Sequence, residues 1–154
     1  MSWEDFVVLW ARSTGPKNLY RTVLTNLEHM GLTHSEHYAT ALINTGDVYV
    51  NSRELKEALQ YFLRARDLLV ECGLAGDYRM AALNNNISMV YRDTGEFDKA
   101  EQALDIAFRI IKGIPECRGE LATTYINLGR AAGAAEINWR WRGKALKRRA
   151  GCSK

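Results

Sequence analysis

The sequence predicts an all-α fold, a solenoid of antiparallel helix pairs, and three observations carry that prediction. Apolar and small residues recur at intervals of three and four, the period of one helix face. The pattern returns after 42 residues and again after 41, the mark of a stacked repeat. The only two prolines, Pro16 and Pro115, stand where helices are separated or begin.

The repeat is visible in three segments that start at Ala39, Ala81 and Ala122. Each has Asn five places on (Asn44, Asn86, Asn127) and a small residue seven places on (Gly46, Ser88, Gly129). The first two end in Tyr49 and Tyr91 and continue in step: Leu55, Ala58, Phe62 and Ala65 match Phe97, Ala100, Leu104 and Ala107. Gly31-Leu32 and Gly73-Leu74 match in the connectors. Small residues on one helix let a second approach closely.

Taken in order, residues 1–31 read as a divergent N-terminal helix pair, Trp3 to Trp10 and Leu19 to Met30, around Ser13-Thr14-Gly15-Pro16. Repeat 1 spans 35–73, with helices over 36–51 and 54–72 and Thr33-x-x-Glu36 as a capping box at its start. Its internal turn is Asn51-Ser52-Arg53. Repeat 2 spans 77–114, with helices over 78–94 and 97–113 around Asp93-Thr94-Gly95, where Gly95 suits a left-handed residue after a helix. Pro115 opens a last helix over 117–134, the first half of a third repeat within 116–134. Residues 135–154 read as a basic tail or a capping helix, with Ile137, Trp141 and Ala145 four apart. The whole chain, 1–154, is expected to be one domain.

A small residue, Tyr three later, then Ala, Phe or Leu, and Ala resembles the tetratricopeptide repeat, over about residues 35–134. The unit is longer than that family's usual 34 residues, by about two helical turns. In this it is similar to the repeats of kinesin light chain and of many bacterial proteins. Leu42, Asn84 and Tyr125 stand where the general pattern has Trp. The resemblance implies a right-handed superhelix, no enzymatic activity, no cofactor, and a protein or peptide held in the concave groove. It places Asn44, Asp47, Asn51, Asn85, Asn86, Met89, Arg92, Asn127 and Arg130 on that groove. Five of the nine are Asn, a poor interior helix former. Their amides suit either a partner's backbone or a neighbouring helix. Arg92 and Arg130 suit a carboxylate.

The remaining composition narrows the choice. Phosphate-binding and nucleophile-elbow motifs are absent. His29, His34 and His37 gather near a connector without a third well-spaced ligand, so they read as solvated and no metal is expected. Cys72, Cys117 and Cys152 are far apart and read as free thiols. The opening Met1-Ser2-Trp3-Glu4-Asp5 does not resemble a signal peptide, and no run approaches the ~20 apolar residues of a membrane span, so a cytoplasmic location is expected.

Net charge is +3, but residues 130–154 hold eight basic side chains and one acidic, +7. An alternative function follows: an adaptor whose Trp-bearing basic tail touches anionic membrane or nucleic acid. Self-association through exposed repeat ends is a further expectation.

Overall fold

A computed structural model describes residues 15–114, 116 and 118–134, with the backbone alone at 118, 120 and 132–134. The expected Trp3–Trp10 helix and the expected tail helix lie outside the described residues, as do Pro115 and Cys117. Among the described residues there are six helices and no strand: α1 Pro16–His29, α2 Glu36–Asn51, α3 Leu55–Glu71, α4 Tyr78–Asp93, α5 Phe97–Lys112 and α6 Arg118–Ala134. The chain divides into two compact units, Met1–Ala75 and Gly76–Lys154. The boundary falls in the connector between the two full repeats.

In the first unit, α2 packs along α3 and against α1. Its core is Tyr38, Ala39, Leu42, Ala58, Phe62, Ala65 and Leu69, all essentially sealed from solvent. Fully burying one such large side chain stabilises by roughly 1.5–3 kcal/mol. The alanines keep the axes close, and Gly46 brings them closer still. A Cβ at Gly46 would lie 2.4 Å from Cε1 of Phe62.

In the second unit, α4 packs along α5, and α6 lies against both. Leu104 of α5 clusters with Leu128 and Ala131 of α6. Ala81 of α4 clusters with Ala107 and Ile111 of α5, and Leu121 of α6 joins them. Phe108 and Tyr125 meet edge to face at 5.7 Å, the arrangement ring quadrupoles favour.

The helix ends are fixed by local chemistry in the same register as the cores. Ser35 caps α2 by accepting from Tyr38 N–H at 3.2 Å. Asp77, 42 residues later, caps α4 by accepting from Arg79 N–H at 2.9 Å. The expected Thr33 cap is therefore corrected to Ser35. Thr33 sits outside the helix, where its side chain is too far back to reach the first free N–H groups. α1 starts at Pro16, earlier than the expected Leu19, because Pro at the first helical position needs no N–H partner.

At the C-terminal ends, Leu32, Glu54, Leu74 and Glu96 each donate N–H to the carbonyl five residues back. The residue before each has positive φ: Gly31, Arg53, Gly73 and Gly95. This is the closure that satisfies the last carbonyls of a helix. Three of the four are the expected glycines; Arg53 does the same with a side chain attached.

Candidate functional site

The face available for binding is set by which sides of the first helices are already used. α4 is the clearest case. Eight of its sixteen residues are buried: Met80, Ala81, Leu83, Asn84, Asn85, Ile87, Ser88 and Val90. At 100° per residue they cover well over half of its circumference. The arc left open carries Tyr78, Ala82, Asn86, Met89 and Asp93, each exposed or half-buried.

Asn85 and Asn127 do not lie on that open arc. Both are 4% exposed, in the seam between α4 and α6. Asn85 Nδ2 donates to Thr124 Oγ1 at 2.9 Å, and Asn85 Oδ1 accepts from Asn127 Nδ2 at 3.4 Å. The expected groove-facing role of these two residues is corrected by this geometry. A buried amide needs partners, and here each supplies the other. Asn84 donates Nδ2 to the Met80 carbonyl of its own helix at 2.8 Å and is also sealed. Thr124 belongs to the seam although the sequence singles out no feature there; its register partner in repeat 2 is Leu83.

The two arginines differ. Arg92 donates to Asp93 Oδ1 from Nη2 at 2.7 Å and from Nε at 3.0 Å. Its charge is answered by its own neighbour. Arg130 is exposed on α6 beside Thr123, and among the described residues no ion pair involves it. In the first unit, Asn44 and Asp47 of α2 are half-buried and Asn51 is exposed at its C-terminal end. Burial pushes the Asp47 carboxyl above the ordinary carboxylate range, because desolvation disfavours the charged form.

A second polar cluster was not legible in the sequence. Tyr38 OH donates to Glu28 Oε1 at 2.6 Å and accepts from Arg64 Nη2 at 2.9 Å. The Arg64 guanidinium also stands 5.3 Å from the centre of the Tyr38 ring. Burial first, then the Glu28 bond, pushes the phenol above its usual range. Tyr38 and Arg64 border a cleft of about 410 Å³ with Thr33, His34, Asp67, Leu68 and Glu71. His34 Nδ1 is 3.4 Å from Glu71 Oε2, with both side chains exposed. Among the described residues, no three His, Cys, Asp or Glu side chains gather as metal ligands would.

Residues 79–136 match the tetratricopeptide repeat family. They cover α4, α5 and α6, the helices in which the repeat register is plainest. The chain is a tetratricopeptide-type repeat protein. Its fold is an α-solenoid of helix pairs, and it is shared with a solved relative, BtubC (BKLC) from P. vanneervenii. That crystal structure superposes with a TM-score of 0.78 at 23% identity, over 94% of this chain and 59% of the relative. The tetratricopeptide protein thus spans about three fifths of that relative's length. No curated protein matches it. Repeats of this family mediate protein–protein interaction and are generally non-catalytic scaffolds. Among the described residues, no helix is long and apolar enough to cross a membrane.

Proposed function

We propose that this protein binds a segment of another protein along the open side of α4 and α6. The observation that carries the reading is the Asn85–Thr124–Asn127 seam. It ties the two helices together with buried hydrogen bonds, so the side chains beside it are held on a fixed frame. Those side chains are Asn86 and Met89 on α4 and Thr123 and Arg130 on α6. Met89 supplies an adaptable apolar contact, Asn86 and Thr123 supply polar groups, and Arg130 supplies a cation. The partner that fits is an extended or helical segment with an apolar anchor and an acidic side chain or terminal carboxylate near it. In the first unit, Asn44, Asp47 and Asn51 stand at the register positions of Asn86, Met89 and Asp93. They give that unit a more polar version of the same face.

A photo-reactive side chain placed at Met89 or at Arg130 tests this in lysate of the native cell, with Arg109 on the exposed side of α5 as control. The same polypeptide cross-linked from 89 and 130 but not from 109 is the expected result. Labelling from 109 alone, or equal labelling from all three sites, contradicts the proposal.

A further inference from the structure

A different face of the second unit points to its own occupant. On α6, Ala122, Ile126 and Gly129 share one side at intervals of four and three. All three are exposed, Ile126 by 54%. On α5, Asp98, Glu101 and Asp105 recur at three and four. They lie on the flank next to Phe108, which meets Tyr125 of α6.

Two features of the repeat register say what belongs there. Gly129 holds the position of Gly46, and Gly46 receives the ring of Phe62 from the helix that follows it in sequence. Among the described residues nothing comes within 4 Å of a Cβ placed at Gly129. The small residue is present and its filler lies later in the chain. The acidic trio has its own contrast. The residues 42 positions earlier, on α3, are Lys56, Leu59 and Leu63. The pair followed in sequence by another complete repeat carries two leucines on that flank. The pair followed only by α6 and the basic segment carries three acids. The twenty residues after Ala134 hold seven basic side chains and one acidic, with Ile137, Trp141 and Ala145 spaced for one helix face.

We propose that residues 137–149 of this chain dock on the α5–α6 face, with Trp141 over Ile126 and Gly129 and the basic side chains over Asp98, Glu101 and Asp105. The docked segment is the second helix of the third repeat, held by charge where the earlier repeats use apolar contacts. Its cationic side is then turned inward, away from lipid or nucleic acid. The open side of α4 and α6 stays free.

Limited trypsin cleavage of the full chain tests this, with cuts at Arg140, Arg142, Lys144 and Lys147 read by mass spectrometry. Asp98→Asn/Glu101→Gln/Asp105→Asn removes the charges; Gly129→Leu fills the place meant for the tail and leaves the charges intact. Both variants, with helicity checked by circular dichroism, are expected to lose the tail about tenfold faster than wild type at low salt. High salt is expected to bring wild type most of the way to the charge variant. Equal tail cleavage in wild type and both variants overturns the proposal.

Discussion

The helix pairs α2–α3 and α4–α5 run in one register of 42 residues and solve the same local problems with different residues. Where α2 has Gly46 against Phe62 of α3, the matching positions hold Ser88 and Leu104, both buried. A larger residue on one helix is met by a smaller one on the other, so the summed volume is nearly kept. The turns show the same exchange: Arg53 takes positive φ in one pair and Gly95 in the other. So do the aromatic caps. Tyr49 lies under Lys17 of α1, which also pairs with Glu54. Tyr91 lies under Lys99 of its own pair, which pairs with Glu96. The lesson is that the register specifies the job at each position, while the residue that does it is free to change with its partner.

The largest effect expected from breaking this comparison is at Gly46. In an open helix, Gly→Ala would stabilise by roughly 0.5–1 kcal/mol. Here the new Cβ meets the buried Phe62 ring, so Gly46→Ala is expected to destabilise by about 1–3 kcal/mol in urea unfolding. Adding Phe62→Leu, the residue of the second pair, should return part of that loss, so that the two changes are not additive. Additive losses would mean that the volumes are not coupled.

Next in size is the seam private to the second unit. Asn85→Ala removes the amide shared by Thr124 and Asn127 and is expected to cost about 1–3 kcal/mol. The matching Ile43 is apolar, so no seam of this kind exists at that register position in the first pair. A loss below about 0.5 kcal/mol on thermal or chemical unfolding would show that the amide bonds add little beyond those they replace in water.

A smaller effect concerns Asp47. Its carboxyl is raised by burial, so the folded protein holds that proton more tightly than the unfolded chain. The stability this gives is present at low pH and is lost as pH rises from the ordinary carboxylate range through the raised value. At neutral pH the buried charge is a standing cost. Asp47→Asn is therefore expected to raise Tm at neutral pH, with the difference closing as pH falls through the carboxylate range. A difference that widens on acidification would reverse the assignment.

The smallest is at the turns. Arg53→Gly relieves a left-handed residue that carries a side chain, but it also loosens the unfolded chain. A gain of about 0.5 kcal/mol or less is expected in Tm measurements, while Gly95→Ala should lose about 1 kcal/mol. Equal and opposite shifts at the two turns would show that only local backbone strain matters there.

Much of the fold was legible because a repeat checks itself. The helix limits, the positive φ at Gly95 and the close approach at Gly46 all follow from residues that recur at fixed spacing. The Ser35 cap was overlooked in favour of Thr33, although its counterpart Asp77 stands 42 residues on. The candidate site was less legible for a physical reason. α4 is buried on two sides, so its period no longer separates an inner from an outer face. An Asn in such a helix looks the same in sequence whether it bonds a neighbour, as Asn85 does, or faces outward. Arg92 was likewise readable as a cation, but not as one already answered by Asp93.

The central claim is that the side of α4 and α6 bearing Met89 and Arg130 holds a protein segment. The most direct measurement is calorimetric affinity for the partner captured through that face, using Met89→Ala, Arg130→Gln and the control Arg109→Gln. The account predicts that each of the first two weakens binding about tenfold, ~1.4 kcal/mol, that salt erodes the Arg130 contribution, and that the control leaves affinity unchanged. Unchanged affinity in Met89→Ala and Arg130→Gln, or an equal loss in Arg109→Gln, would contradict it.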